Sequence, residues 1–238
     1  KTWHGAGGNK EILIPQKYGG EEEWRNHYHY FRKFFMDERY IKEENCPVLL
    51  IYRLRNIPNF NDMLRCWNQW AREDGFGGIF LISMDMWREQ ASKSRLVNGT
   101  VDFEPGKTRA WMMQQTSLWK PKDSFSLLQN RFAIRSISYR EINKKMLKTK
   151  NEKNQFRTVF VDFDDSPRRG VRAVVTRGST PRRFGRYLKE AVCRSREEGN
   201  EYLFVNAWNE WGEGNYLEPD TKHGYGYLRE IRKIAEKE

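Results

Sequence analysis

The residues best suited to chemistry follow an apolar segment near the end of the chain, where residues 202–220 read YLFVNAWNEWGEGNYLEPD. Glu210 and Glu213 are three residues apart, and Gly212 and Gly214 permit a tight loop around them. Three residues span at most about 10 Å, so both carboxyl groups can approach one substrate. Paired carboxylates are the groups that cleave glycosidic bonds, one as acid and the other as base or nucleophile.

Aromatic and amide side chains surround this pair in the sequence. Trp208, Trp211 and Tyr216 offer flat apolar faces with polar edges, which suit stacking on sugar rings, and Asn209 stands at the end of the apolar segment. The alternative is that Glu210 caps a helix, Glu213 is solvated and the tryptophans belong to the core. Because all of these residue types occur together, we favour the sugar site.

Patterns of strands and helices alternate along the chain, which predicts a parallel sheet with helices packed outside it. The predicted helices are 21–36, 59–76, 138–148, 180–197 and 224–237. The predicted strands are 46–53, 77–87, 100–105, 156–165 and 201–208. The pattern weakens from 88 to 130, and no linker or repeat indicates a second domain within residues 1–238.

Acidic residues fall at or just beyond the ends of these strands. Besides the glutamate pair they are Asp85, Glu104, Asp164 and Asp165. In a β/α barrel the C-terminal ends of the strands form the catalytic face. Five strands cannot close an eight-stranded barrel, so we expect either further strands in the weak stretches or a barrel whose first strands precede Lys1.

Composition limits the class of protein. The 238 residues contain 38% hydrophobic residues, enough for a core, and no run of 18 apolar residues. The start KTWHGAGGNK lacks the pattern of a signal peptide. Cys46, Cys66 and Cys193 are widely spaced and odd in number, which argues against a disulfide framework and favours a reducing compartment. We therefore expect a cytoplasmic protein, with peripheral contact to a membrane as a further option.

The net charge of +11 is concentrated between Arg168 and Arg196, where ten Lys or Arg residues accompany a single acid, Glu190. One interpretation is a surface for phosphates of nucleic acid or of an anionic membrane with its lipid-linked substrates. The other is a solvated face of helix 180–197, which we favour. Nucleic acid is disfavoured because the only aromatics here, Phe184 and Tyr187, lie on the apolar stripe of that helix.

Two other patterns contain residue types found in ligand sites. His27 and His29 are two residues apart on a predicted helix and therefore point to nearly opposite sides, which disfavours a metal site. The segment WHGAGGN is rich in glycine but matches no nucleotide-binding motif. Its Trp3 and His4 remain candidates for lining a sugar site.

Several segments also resemble one protein family. AWNEWGEGNYLEPDTKHGYGYL, at 207–228, is similar to the closing signature of the WbsX-like polysaccharide-biosynthesis family, a relative of the endo-α-mannosidases of glycoside hydrolase family 99. TWHGAGGNKEILIPQKYG, VDFEP, VDFDDSPRRG and RGSTPRRFGRYLKEAV resemble other family segments in the same order. The resemblance covers essentially the whole chain and is weak between about 86 and 135. Phe163 stands where the family has Trp, and Asp165 where it has Asn.

The resemblance implies a (β/α)8 barrel that lacks its N-terminal strands here, and it implies roles for the glutamates. Glu210 matches the base that takes the proton of the sugar 2-hydroxyl, so that a 1,2-anhydro sugar forms. Glu213 matches the acid/base toward the leaving glycan and then water. We expect a retaining reaction on an α-mannan- or rhamnan-type polysaccharide with no cofactor or metal. A glycosyltransferase using an activated sugar donor, and a non-catalytic glycan-binding barrel, remain alternatives.

Overall fold

A computed structural model describes residues 3–4, 12–84, 94–117, 135–170 and 173–236. The chain divides into two compact units, Lys1–Thr100 and Val101–Glu238. Sequence patterns predicted one domain for residues 1–238, and the division into units was not apparent from composition.

Among its described residues, the first unit contains two α-helices and five complete strands. They are β1 (Trp3–His4), β2 (Ile12–Ile14), α1 (Glu21–Phe35), β3 (Lys42–Glu43), β4 (Cys46–Tyr52), α2 (Phe60–Glu73) and β5 (Phe80–Met84). Strands β4 and β5 pair in parallel, with Val48 opposite Phe80. Parallel pairing across helix α2 is the βαβ arrangement that the alternating pattern predicts.

Aromatic packing between α1 and α2 forms the core of this unit. Helix α1 begins with three glutamates, where negative charge is favourable, and the Gly20 N–H donates to Oε2 of Glu23 at 2.9 Å. Its buried face includes Trp24, whose carbonyl accepts a hydrogen bond from the Trp67 indole at 2.9 Å. The buried indole thus has the polar partner that it requires, and the two helices are fixed in register.

Strand β6 (Gly99–Val101) spans the boundary between the units in the sequence, and the remaining elements belong to the second unit. They are α3 (Gly106–Ser117), β7 (Arg135–Ser138), α4 (Tyr139–Lys148), β8 (Gln155–Phe160), α5 (Ser166–Arg169), β9 (Val174–Arg177), α6 (Pro181–Glu197), β10 (Leu203–Asn206), β11 (Asn209–Glu210), β12 (Asn215–Tyr216) and α7 (Gly226–Ala235). Strands β8 and β10 pair in parallel, as do β7 and β9.

Helices α6 and α7 cover β8 and β10. Thr180 caps α6 by accepting the Arg183 N–H, and Pro181 occupies the first turn. The apolar stripe of α6 packs with β8 and α7 in one buried cluster, Val159, Val161, Phe184, Leu188, Ala191, Leu217 and Tyr227. A Cβ at Gly185 would lie 2.9 Å from the Cβ of Glu230, so glycine at this position permits the close approach of the two helices.

The predicted strands and helices are confirmed, with ends that shift by a few residues. Helix α3 and the strands β7 and β9 were not predicted, since α3 combines Gly106, Thr108 and Trp111 without an amphipathic period. The fold is mixed α/β with parallel strand pairs. Closure into an eight-stranded barrel stays a prediction.

A buried ion pair ties the start of β8 to the end of α6 and yields a stability prediction. Arg157 donates from Nη2 to Glu198 Oε1 at 2.5 Å and from Nε to Oε2 at 2.8 Å, and both side chains are more than nine-tenths buried. Glu198→Ala should lower the free energy of unfolding by about 3 kcal/mol, because it leaves a buried guanidinium unpaired. Denaturant unfolding measures this, and Glu197→Ala, at an exposed neighbouring position, should change stability by less than about 0.5 kcal/mol. Equal effects would mean that the pair is not what stabilises this joint.

Candidate active site

The loop between β10 and α7 folds back on itself at the end of the second unit. Strands β11 and β12 pair antiparallel, Asn209 opposite Tyr216 and Glu210 opposite Asn215, and residues Trp211–Glu213 form a 3₁₀ turn between them. The Leu217 N–H donates to the carbonyl of Ala207 at 3.0 Å. This small hairpin, residues 207–218, is here called the glutamate hairpin.

The end of β8 holds the glutamate hairpin in place. The Asp164 N–H donates to the Glu213 carbonyl at 2.7 Å, and the side-chain oxygen of fully buried Asn215 accepts the Val161 N–H at 3.0 Å. Gly214 has a φ of +59°, and a Cβ there would lie 3.4 Å from the Cβ of Asp164. A glycine is therefore favoured at this turn both by its backbone conformation and by the close neighbour.

The two glutamates of the hairpin differ in their surroundings. The Glu210 side chain is exposed and has no hydrogen-bond or ion-pair partner among the described residues. Oε1 of Glu213 accepts a short hydrogen bond from Nη2 of Arg168, while its Oε2 has no partner within the same described part of the chain. Arg168 comes from α5, the next helix after β8 in the sequence. The hairpin thus presents carboxylate oxygens that are available to a ligand.

Aromatic rings flank these carboxylates. The rings of Trp211 and Tyr216 stack at 3.7 Å with an angle of 14°, so one face of each ring is covered. The Trp211 indole donates to Oε2 of Glu218 at 2.5 Å, which fixes the orientation of the stack. Trp208 is 54% exposed, and Asn209 is also exposed. The four residues predicted around the glutamates therefore all lie on one hairpin.

Asp164 and Asp165 follow β8 and have separate roles. Asp164 is exposed and accepts the Ser166 N–H at 2.8 Å, which supports the first turn of α5. Asp165 is 1% exposed and pairs with Arg169 at 2.9 Å and with Arg109 at 3.7 Å. Two guanidinium groups thus compensate the burial of the Asp165 carboxylate.

The two positions at which this sequence differs from the family pattern, Phe163 and Asp165, are both buried. Phe163 is 3% exposed, and the Arg109 guanidinium lies over its ring at 3.9 Å, a cation–π contact. Burial lowers the pKa of Arg109, and the Asp165 carboxylate opposes that shift. Sequence reasoning did not identify Arg109, which lies more than 50 residues before its partner in an unpredicted helix. The positions of Phe163 and Asp165 are buried, so neither side chain faces solvent where a substrate could meet it.

Glu104 occupies a cavity of its own. Its carboxylate accepts the Thr108 N–H at 2.9 Å and the Thr108 hydroxyl at 2.7 Å at the start of α3. Burial raises the pKa of Glu104 to about 7, and the Thr108 hydrogen bonds oppose the rise. The cavity, about 50 Å³, is also lined by Asp102, Lys107 and Arg157. None of its described lining residues belongs to the glutamate hairpin, but the Glu104 carbonyl accepts a 2.7 Å hydrogen bond from Nδ2 of Asn206, directly before that hairpin. A role of Glu104 in substrate binding stays a prediction.

Asp162, which was not among the predicted site residues, lines a cavity together with a hairpin residue. Asp162 accepts hydrogen bonds from the Phe163 N–H at 2.9 Å and from the Thr176 hydroxyl. Burial raises its pKa, against the opposing effect of the Thr176 hydrogen bond. With Tyr216 and Asp220 it lines a cavity of about 60 Å³. The alternation of acids and apolar residues in VDFDD was the available signal.

Three other predicted site residues lie outside this description. Asp85 is not among the described residues, and the backbones of Trp3 and His4 form β1, paired with Ile14 and Ile12, without described side chains. Within the described ranges, no group of three His, Cys, Asp or Glu side chains could hold a metal ion. No described helix is both long and apolar enough to cross a bilayer.

Comparison with known proteins decides the family. A family model described as "Glycosyltransferase WbsX" matches residues 1–231. The chain belongs to this family. That membership confirms the resemblance seen in the closing signature and the assignment to the carbohydrate-active enzymes.

The chain is also similar to a curated protein and to two solved structures. The uncharacterized protein WxcX of Xanthomonas campestris pv. campestris is 26% identical over 237 residues, which cover 98% of this chain and 32% of WxcX. The chain thus spans about a third of that relative. A solved structure titled "Glycoside hydrolase-like protein" matches with a TM-score of 0.54 at 11% identity, over 89% of this chain and 60% of the other, and shows a shared fold. The GH99 endo-alpha-mannosidase from Bacteriodes thetaiotaomicron matches with a TM-score of 0.45 at 14% identity, over 93% and 66%.

The buried Glu104 of this WbsX family member leads to a prediction about pH. Because its pKa in the folded state lies near 7 and its ordinary value is 4.5, the folded state holds a proton that the unfolded state releases between these values. Stability should therefore fall as pH rises from 4.5 to about 7, by about 3 kcal/mol, since one pKa unit corresponds to about 1.4 kcal/mol. Glu104→Gln should remove this part of the pH dependence in denaturant unfolding at pH 4.5, 6 and 8.

A matched substitution tests whether Glu104 itself is responsible. Glu141→Gln also removes a titratable glutamate, but from an exposed position of α4, and should leave the slope of stability against pH unchanged. The same slope in wild type and Glu104→Gln would contradict the assignment.

Proposed function

We propose that the chain carries the glutamate pair of an enzyme that cleaves or transfers glycosyl units of a cell-surface polysaccharide with retention of configuration. The observation that carries the proposal is the glutamate hairpin itself. It places Glu210, without a partner among the described residues, and Glu213, with one unpartnered oxygen, beside the exposed Trp211. The supporting framework is a β/α barrel to which this chain contributes the later strands.

The reaction requires one base, which accepts a proton from the sugar, and one acid/base, which first gives a proton and later accepts one. Glu210 takes the proton of the sugar 2-hydroxyl, whose oxygen attacks the anomeric carbon while the bond to the leaving glycan breaks. Glu213 gives its proton to the leaving oxygen. It then accepts a proton from water or an acceptor hydroxyl, which opens the anhydro ring, and Glu210 returns the first proton to the 2-oxygen. Protons and bonds balance without a cofactor.

Arg168 is suited to controlling Glu213 during this exchange. Its guanidinium contacts Oε1 of Glu213 from a largely exposed position, and the short helix α5 that carries it is held by buried Asp165 through Arg169. A charged donor of this kind stabilises the carboxylate after its proton has left. When Glu213 carries the proton, Oε2 remains the atom that can give it to the substrate.

Transfer to a sugar acceptor is the second candidate, and the family description favours it. The same two glutamates would then serve. An acceptor hydroxyl would take the place of water, or an activated sugar donor would take the place of the glycan that is cleaved in hydrolysis. The polysaccharide proposed is of α-mannan or rhamnan type.

The three cysteines are free thiols, which supports the proposed cytoplasmic location.

Glu213→Gln is the central test. With full-length protein and α-mannan- or rhamnan-type oligosaccharides, assayed with and without a nucleotide sugar, turnover should fall at least about a hundredfold, because removal of a general acid forfeits that much. Binding of the oligosaccharide, measured by calorimetry, should change less than about threefold. Product analysis of the wild type separates hydrolysis from transfer.

The control for this test is Glu201→Gln, an exposed glutamate just before β10, at the other end of the same strand from the hairpin. It should retain full turnover. Equal loss of binding and turnover in Glu213→Gln would indicate a structural glutamate. Binding without turnover in the wild type would favour the non-catalytic glycan-binding alternative.

A further inference from the structure

Helices α6 and α7 border an open groove of about 490 Å³ whose lining is strongly basic. The cations that line it are Arg182, Arg186, Lys189, Arg196 and Lys233. One acid, Glu230, stands among the described lining residues and accepts a 2.6 Å hydrogen bond from Lys233. The groove therefore carries an excess of positive charge.

Four of these cations form a stripe along one side of α6. Arg182, Arg186, Lys189 and Arg196 are separated by four, three and seven residues, so all project from the same face of the helix. At 1.5 Å per residue the stripe is about 21 Å long. This face borders α7 and lies beside the apolar stripe that packs against β8.

Three cations of the stripe have no compensating acid. Arg182, Arg186 and Lys189 are exposed and have no ion-pair partner among the described residues. Arg194 provides a contrast, because it pairs with Glu190 at 2.9 Å on the same helix. Like charges spaced along one helix face repel one another, so binding of anions would relieve this repulsion.

The lining of the groove favours lipid headgroups over other anions. It contains no aromatic ring among its described residues, so nucleobases and sugar rings have no surface for stacking. Half-buried Val192 and Ile234 with exposed Cys193 instead form an apolar floor between the cations. Guanidinium groups bind phosphate oxygens in pairs, and long cationic side chains can keep their charges at headgroup level above apolar contacts.

We infer that this groove docks the protein peripherally on an anionic phospholipid surface, with headgroup phosphates between α6 and α7. The inference is independent of the glutamate hairpin. Each Lys or Arg near such a surface contributes about a fivefold increase in partitioning. Charges of the groove should therefore dominate membrane affinity, although the protein as a whole carries a net charge of +11.

Vesicle cosedimentation with full-length protein tests the inference. The protein should bind vesicles of phosphatidylcholine with 30% phosphatidylglycerol at physiological salt and should not bind vesicles of phosphatidylcholine alone. The double variant Arg186→Ala/Lys189→Ala should lose about 25-fold in partitioning, following the fivefold effect of each cation. The double variant Lys144→Ala/Lys148→Ala, on exposed positions of α4, changes the net charge equally and should lose less than about threefold.

Circular dichroism and thermal unfolding establish that both double variants remain folded, as exposed positions predict. Equal losses of vesicle partitioning in the two double variants would overturn the inference, because they would show that the net charge, and not the groove, attracts the membrane. Absence of binding to the anionic vesicles would also overturn it. Polyglutamate or duplex DNA could bind more tightly than the vesicles, with the same dependence on Arg186 and Lys189. That outcome would assign the groove to an acidic protein or a nucleic acid and would overturn the inference of a lipid surface.

Discussion

The hydrogen bond from the Asp164 N–H to the Glu213 carbonyl is the contact on which the candidate site depends. It lies beyond the last ladder residues, Phe160 and Asn206, and joins the chain after β8 to the 3₁₀ turn of the glutamate hairpin. Asn215 adds a second connection by accepting the Val161 N–H inside the protein. A loop whose backbone is bonded at two points to a neighbouring strand end keeps its side chains in a narrow range of positions, which catalysis requires.

Two carboxylates near this contact differ in burial and in whether an ion pair neutralises their charge. The Asp165 carboxylate is buried and has two arginines, whereas the exposed Glu210 carboxylate has no partner among the described residues. This difference has a physical reason, because a buried charge without a partner costs several kcal/mol and a solvated one does not. The exposed Glu210 carboxylate can therefore remain without a protein partner and stay available to a ligand. The arginine-rich helix α5 connects the two environments, since Arg169 faces Asp165 and Arg168 faces Glu213.

Sequence patterns predicted the parts of the fold that bury an amphipathic face. Helices α1, α2, α6 and α7 and strands β4, β5, β8 and β10 were predicted because their apolar residues repeat at helical or strand spacing. Helix α3 has no such repeat, and its Arg109 meets Asp165 only after folding. Local spacing also located the glutamates, which share one hairpin. The enclosure of the Glu104 side chain in a cavity without a described hairpin residue could not be predicted, because a strand end specifies the position of a backbone and not the direction of a side chain. Closure of the barrel involves pairings beyond the described strand pairs and remains a prediction.

Helix α6 carries both an apolar stripe that packs inside the second unit and a basic stripe on its exposed surface. Its apolar stripe must pack against β8 and α7 to support the strand ends that carry the site, and Gly185 allows α7 close enough for that packing. The remaining surface is free of this constraint, so its composition reflects something other than folding. A neutral polar face would satisfy solubility equally well and would avoid repulsion between neighbouring arginines. An external anion would neutralise Arg182, Arg186 and Lys189, which have no ion-pair partner among the described residues, and the same packing that supports the hairpin presents these three cations to it.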